Sequence, residues 1–193
     1  MAATAAADPP RDWQATLRSD AQAFHDQIAE DHPGPYNRHD PQFAQRNDAG
    51  LALALRRAAQ VRDYPGYLWA MRGYVAGFDD GHVALDVQKP EPVALQWPGF
   101  LTGYDGAGRQ VVRTVADGIA LPIGAVLEEC DGVDAERLAA RNVGAFRGRW
   151  QLASQRATQG GRLFVDARNP FITRPSHCTF RVAGKRQEVA LAW

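Results

Sequence analysis

The spacing of the hydrophobic residues changes once along this chain, at Asp79-Asp80-Gly81. Before that point apolar residues recur every three or four positions, which is the pattern of helices with one buried face. The first such run is Trp13, Leu17, Ala21, Phe24 and Ile28. After it Val83, Leu85 and Val87 alternate with polar or small residues, which is typical of a half-buried strand. One change of period predicts an α+β fold, with helices first and strands afterwards.

Proline and glycine divide the first part into three predicted helices. The first begins near Asp8-Pro9 and ends at Pro33-Gly34-Pro35. The second begins at Asp40-Pro41 and runs to about Val61, and the third spans about 65–77. Residues 1–88 are therefore predicted to form an N-terminal helical bundle that leads into a first strand at 83–88.

Residues 89–193 are predicted to form a second, strand-rich module. The boundary lies at Lys89-Pro90-Glu91-Pro92, where two prolines interrupt the alternating pattern. A hairpin turn is expected at 105–108, a strand at 124–129, and a closing hairpin about Gly184-Lys185. Short helices are expected at about 134–142 and 150–156.

Charge and hydropathy exclude two classes of partner. Lys and Arg number 22, and Asp and Glu also number 22, so no net positive charge is available to hold a nucleic-acid backbone. No apolar run approaches the roughly 18 residues that a membrane span needs. The Ala-rich opening is typical of the residue left by signal-peptide removal or of a frayed terminus. We expect a periplasmic or secreted protein, with a cytoplasmic location as the alternative. Cys130 and Cys178 could pair in an oxidising compartment, but their spacing does not decide it.

Nucleophilic and metal chemistry find little support in the residue types. The chain has three serines, none in a glycine-flanked elbow, and two lysines, both at predicted turns. A complete serine–histidine triad or serine–lysine dyad is therefore not expected within it. His177 precedes Cys178 on a predicted strand, where adjacent side chains point to opposite faces, so a core cysteine is favoured. The histidines show no metal-ligand spacing, and we expect neither a metal nor a cofactor.

The segment 121–132, LPIGAVLEECDG, allows two interpretations. It is either a buried strand between two turns, or an exposed edge strand that binds an extended peptide by main-chain pairing. The second interpretation assigns peptide binding to five consecutive residues: Ile123, Gly124, Ala125, Val126 and Leu127.

His82 stands at the change from helix to strand. It is either a turn residue whose ring bonds a nearby carboxylate, or a general base held at a domain edge. In both cases Asp79 or Asp80 is within reach to orient the ring.

Three motifs together resemble the C-terminal-processing and tricorn-type serine peptidase family: HPGPY after the first helix, GFDDGHVAL after the bundle, and LPIGAVLEECDGVDAERL in the strand-rich part. The closing hairpin is similar to the end of that family's PDZ-like module. Asp80-Gly81-His82 is the most specific element of the resemblance, which covers most of the chain from about Trp13.

The resemblance implies an N-terminal helical bundle, a PDZ-like module that binds a peptide or unfolded protein, and a C-terminal α/β catalytic domain that supplies the serine. This chain matches only the first two parts. His82 would be the base of the parent peptidase, as in tricorn-like members; in other members a lysine of the catalytic domain has that role. We therefore expect the chain alone to be inactive. The alternative from another class is a stand-alone peptide-binding adaptor.

Overall fold

Three helices form the N-terminal part of the protein in the computed structural model, which describes residues 11–88 and 90–193. They are α1 (Trp13–Asp31), α2 (Phe43–Ala58) and α3 (Tyr64–Ala76). We call residues 11–83 the helical part, because Val83 is the last residue buried in the core of these helices. The predicted start at Asp8-Pro9 and the Ala-rich opening lie outside the described residues.

Side-chain caps fix where two of the helices begin. At the start of α1 the Asp12 carboxylate accepts hydrogen bonds from the backbone N–H groups of Gln14 and Ala15. At the start of α3 the Asp63 carboxylate accepts one from Gly66. Each cap satisfies backbone donors that have no partner within the helix.

A buried polar chain ties the three helices to one another. The Tyr74 hydroxyl of α3 donates to Asn47 Oδ1 of α2 at 2.6 Å, and Asn47 Nδ2 donates to the backbone carbonyl of His25 in α1 at 2.9 Å. Gly50 allows this approach, because a Cβ there would lie 2.1 Å from the Tyr74 ring. Burial raises the pKa of the Tyr74 hydroxyl well above its usual range, so that it stays a donor.

The second part, residues 90–193, is built on one antiparallel sheet, and we call it the sheet part. Its strands are β1 (Phe100–Tyr104), β2 (Gln110–Val115), β3 (Val126–Cys130), β4 (Val133–Asp134), β5 (His177–Val182) and β6 (Lys185–Ala190). They lie in the order β1-β2-β3-β5-β6, with the short β4 paired to β3. The predicted α+β class and the hairpins at 105–108 and about Gly184 are confirmed.

Short helices connect β4 to β5 and cover the sheet. They are α4 (Ala135–Ala139), a π-helical turn (Ala140–Gly144), α5 (Ala145–Arg147) and α6 (Ala153–Gln159). Their apolar residues join those of the strands in a second core, whose largest members include Phe100, Phe164 and Phe180. Within residues 11–88 and 90–193, none of the helices has the length and hydrophobicity to cross a membrane.

A disulfide bond joins Cys130 of β3 to Cys178 of β5 inside this core. The two residues are direct cross-strand partners with Cα atoms 4.0 Å apart, and both are almost fully buried. The sequence left open whether Cys130 and Cys178 pair, and in the structure they do. The core position expected for Cys178 is confirmed.

The first strand predicted at 83–88 is wrong. The segment from Val83 to Gln88 is irregular and pairs with no strand in the described part of the chain. The alternating residues of this segment do not share a buried face. Val83 packs into the helical core, whereas Leu85 is exposed. Alternation makes a strand only where a partner strand offers hydrogen bonds.

Two side chains of the helical part, Trp69 and Arg57, pack against aromatic rings of the sheet part. The Trp69 ring of α3 packs edge-on against Phe146, with ring centroids 5.5 Å apart, and its Nε1 donates to the Ala167 carbonyl at 2.9 Å. The Arg57 guanidinium of α2 lies 4.9 Å from the Phe146 ring centroid and 4.7 Å from that of Phe171. Aromatic and cation–π contacts of this kind hold the two cores together.

His25 should make the stability of the helical part depend on pH. Hydrogen bonds to Asp48 of α2 and to its neighbour Asp26 raise the pKa of the His25 ring above its ordinary value of 6.5. The folded state therefore holds this proton more tightly than the unfolded state does. The resulting stability is fully present below pH 6.5 and is lost as the pH rises through the raised pKa.

We expect the difference in unfolding free energy between the wild type and His25→Gln to shrink as the pH rises from 6.5 through the raised pKa of His25. Urea unfolding at several pH values measures it. His39→Gln, which alters an exposed histidine outside these hydrogen bonds, is the control variant. A His25 difference that stays constant or grows with pH would contradict this linkage.

The disulfide should contribute strongly to the stability of the sheet part. It spans a sequence separation of 48 residues, and closing a loop of that length is worth roughly 4 kcal/mol. We expect the double variant Cys130→Ala/Cys178→Ala to lose about that much unfolding free energy in urea titrations. Reductant should lower the unfolding free energy of the wild type towards that of the double variant. It should leave the unfolding free energy of the double variant unchanged. Equal stabilities with and without reductant would show that the bond contributes nothing.

Candidate functional site

The turn that follows α3, residues 77–82, positions the predicted site, and we call it the connecting turn. Asp79 has φ of 57°, in the left-handed region that aspartate tolerates better than most residues. This conformation lies three residues after the end of α3 at Ala76 and changes the direction of the chain. The fold at this point therefore depends on Asp79 for backbone geometry before any chemistry is considered.

Asp80 holds His82 through two hydrogen bonds. Its Oδ1 atom accepts from the backbone N–H of His82 at 2.9 Å and lies 2.9 Å from ring atom Nδ1. The backbone bond lowers the pKa of the Asp80 carboxyl below its ordinary value of 3.8, and the imidazole bond adds to this effect. An ionised carboxylate can only accept, so Nδ1 carries the proton and Nε2 of the neutral ring has a free lone pair.

The His82 ring projects into solvent. Its side chain is 92% exposed, whereas the Asp80 side chain that holds it is 30% exposed. The prediction that this histidine would be exposed within reach of a neighbouring aspartate agrees with this geometry. Asp79, the other predicted orienting residue, does not contact the ring.

Asp79 instead links the connecting turn to the sheet part. Its Oδ2 atom accepts a hydrogen bond from Gln151 Nε2 at 2.6 Å. Beside it, Arg149 lies against Gly81, where a Cβ would come within 2.7 Å of Nη1. Sequence reasoning missed Gln151 and Arg149, because contacts across about 70 residues leave no local pattern.

Two clefts border the exposed ring and give other groups access to it. One has a volume of about 280 Å³ and is bounded by Phe24 and Ile28 of α1, and the other has about 440 Å³ and is bounded by Phe43. His32 and His82 line both. The His32 ring stacks on Phe43 at 4.7 Å and its Nδ1 accepts from the Gly34 N–H at 2.9 Å, so it closes the end of α1.

The structure does not support the predicted edge strand at 123–127. β3 lies in the middle of the sheet, where Val126 pairs with Val111 on one side and with Arg181 on the other. The backbone of Gly124 donates to Val112, whose N–H donates in turn to Ala125. The prediction of unpaired backbone here is wrong, because β5 arrives from 50 residues downstream to pair with β3. Ile123 remains exposed at the turn before β3.

Ser176, His177 and Asp131 come together at the start of β5 but do not form a triad. The Ser176 hydroxyl donates to Asp131 Oδ1 at 2.9 Å and lies 3.0 Å from His177 Nδ1. Because its single proton goes to the carboxylate, Nδ1 must donate to the hydroxyl and cannot act as its base. In the described residues no group of three or more His, Cys, Asp or Glu side chains is placed to hold a metal ion.

Comparison with known proteins finds a similar fold among solved structures. No family model matches the sequence, and no curated protein is significantly similar to it. Solved structures of one chlamydial serine protease, CPAF, do share its architecture. Mature CPAF complexed with lactacystin superposes with a TM-score of 0.66 at 13% identity, covering 94% of this chain and 35% of that one.

Two further CPAF structures give the same result. Mature CPAF has a TM-score of 0.65 at 13% identity, and a serine-to-alanine mutant has 0.61 at 14%; each match covers 93% of this chain and 34% of the other. At such identities the likeness shows the fold alone. The chain spans about a third of the length of the CPAF chains that it matches.

The hydrogen bonds of Asp80 give a direct test of the site geometry. We expect its carboxyl to titrate below 3.8 in NMR experiments. In His82→Ala the pKa should rise only part of the way back, because the backbone N–H at position 82 still donates to Oδ1. An unfolding curve of His82→Ala shows whether the variant keeps its fold. An unchanged Asp80 titration in His82→Ala would show that the ring does not bond this carboxylate.

Proposed function

We propose that this chain is the N-terminal, non-catalytic portion of a serine endopeptidase of the C-terminal-processing or tricorn type. In the parent enzyme His82 is the general base for a serine supplied from outside these residues. One observation carries the proposal: the His82 ring is almost fully exposed while its Nδ1 is bonded to Asp80. A ring held on one nitrogen and open at the other has the form of a base that awaits its nucleophile.

The chemistry follows from the tautomer that Asp80 selects. With the proton on Nδ1, the Nε2 lone pair takes the proton of the serine hydroxyl as the oxygen attacks the peptide carbonyl. The imidazolium that forms is stabilised by the Asp80 carboxylate, and Nε2 then gives the proton to the leaving amine. Asp80 orients the ring directly, and Asp79 acts one step away by tying the connecting turn to Gln151.

The clefts and the comparisons support this role. A serine approaching Nε2 would enter through the clefts beside Phe24 and Phe43, which leave room next to the ring. The match to about a third of CPAF fits a chain that carries part of a longer protease.

The expected partners are a peptide or unfolded protein substrate and a C-terminal catalytic domain. Peptide binding rests on the resemblance to a PDZ-like module, and β3 is not its site. The outer strand β6 bears exposed charges at Lys185, Arg186 and Glu188, which disfavour added strands. The buried disulfide favours a periplasmic or secreted location, since such bonds persist in oxidising compartments.

In the full-length protein, His82→Ala should lower peptide turnover by several orders of magnitude, because triad members act as a unit. His39→Ala, which removes another exposed histidine of the helical part, should keep wild-type turnover. Thermal melting of both variants would show whether the loss is chemical or structural. These 193 residues alone should not cleave peptides.

Two results would contradict the proposal. A folded His82→Ala enzyme that keeps a substantial fraction of its rate would make another residue, such as a lysine of the catalytic domain, the base. A full-length protein without a reactive serine that still binds peptides would favour the adaptor.

A further inference from the structure

Three arginines gather near Trp69, and two of them lie over its ring. The guanidinium carbons of Arg72 and Arg147 lie 5.0 and 5.3 Å from the Trp69 ring centroid. Arg162 is close enough for its charge to lower the pKa of both Arg72 and Arg147. Burial, together with the charges of Arg72 and Arg162, lowers the pKa of Arg147 to about 10. Arg72 and Arg147 are partly buried, and among the described residues none of the three arginines forms an ion pair.

Arg147 and Arg162 line a narrow cleft of about 70 Å³. Its floor is formed by buried Val143 and Leu163, and Leu95 stands exposed beside it. The lining residues include no aspartate or glutamate. The cleft therefore combines an apolar wall with cationic donors.

Asn169 adds a third donor to this cleft. Its side chain is only 7% exposed, and its Oδ1 accepts the Phe171 N–H at 3.0 Å. Its Nδ2 is buried and has no hydrogen-bond partner in the described structure. An unpaired buried donor costs free energy, which a ligand that accepts its hydrogen bond would recover.

From these observations we propose that the cleft lined by Arg147, Arg162 and Asn169 binds a carboxylate carried on a short aliphatic body. The carboxylate oxygens accept from the two guanidinium groups and from Asn169 Nδ2. The aliphatic body lies on Val143 and Leu163. The site is independent of the proposed peptidase function and of His82.

The dimensions and lining favour this class over inorganic anions. Forked guanidinium groups match the two oxygens of a carboxylate. A volume of about 70 Å³ is roughly that of two to three water molecules, which suits a carboxylate with a few carbons. Phosphate would place polar oxygens against the apolar wall, where they find no donors.

Calorimetric titration of the 193-residue chain with isobutyrate, isobutyramide and inorganic phosphate tests the proposal. We expect isobutyrate to bind at least about tenfold more tightly than either of the others, because charge-assisted hydrogen bonds are lost or misplaced in them. Arg147→Met keeps the packing on Trp69 and should weaken isobutyrate binding about tenfold or more. Arg137→Gln, an exposed arginine of α4 outside the cleft, should leave it unchanged.

Asn169→Asp is the sharpest variant, because it keeps the acceptor for Phe171 and replaces the unpaired donor with a carboxylate. We expect it to abolish isobutyrate binding while leaving the free protein at least as stable as the wild type, since the new carboxylate lies beside the arginines. This variant remains decisive if Arg147→Met does not fold. Unchanged isobutyrate affinity in folded Asn169→Asp, or equal affinity for acid and amide, would overturn the proposal, as would tighter binding of phosphate.

Two short peptides ending in valine, one with a free carboxylate and one amidated, identify the source of the ligand. Binding of the free form alone makes a polypeptide C-terminus the ligand. Binding of isobutyrate but of neither peptide makes it a free small acid.

Discussion

The packing of Trp69 and Arg57 against the sheet part is the interaction on which the rest of the structure depends. Between the helical core and β1 the chain runs through an irregular, largely exposed segment, which by itself would leave the two parts free to move. Phe146 receives both Trp69 and Arg57, and the Trp69 indole N–H is bonded across the same boundary. Gly73 makes room, since a Cβ there would lie 2.0 Å from Arg57 Nη1.

The connecting turn lies at the edge of this joint and takes its geometry from both sides. From the helical part comes the end of α3, with Asp79 in the left-handed conformation. From the sheet part come Gln151, bonded to Asp79, and Arg149, packed on Gly81. His82 is thus exposed as a side chain while its backbone is fixed. A base must be held in this way if it is to meet a nucleophile from another domain.

The proposed carboxylate site uses a residue of the same joint. Arg147 contacts Trp69, lines the proposed cleft, and also lines a separate cleft that contains Asp79 and Asp80. Neutralising its charge would therefore act on the residue that links the two cores. The positions of His82 and of Arg147 therefore both depend on how the helical part packs against the sheet part.

Local patterns in the sequence were sufficient for most of the helices and hairpins. The periodic apolar residues, the prolines and the glycine turns predicted the three helices and both hairpins, because these depend on neighbours in the chain. The approach of Asp80 to His82 was predictable for the same reason. The failures are non-local: residues 83–88 have no partner strand, and β3 is paired with β2 on one side and with β5 on the other. Gln151, Arg149 and the arginine cluster likewise depend on a packing that no local pattern records.

A crystal structure of the full-length protein, with no inhibitor bound to its reactive serine, would test the central claim most directly. The quantity to measure is the distance from His82 Nε2 to the nearest serine Oγ contributed from outside these 193 residues. Our account predicts a distance of about 2.6–3.2 Å, with Asp80 still bonded to Nδ1. A serine paired with a different base, and a His82 ring that faces only solvent, would contradict it.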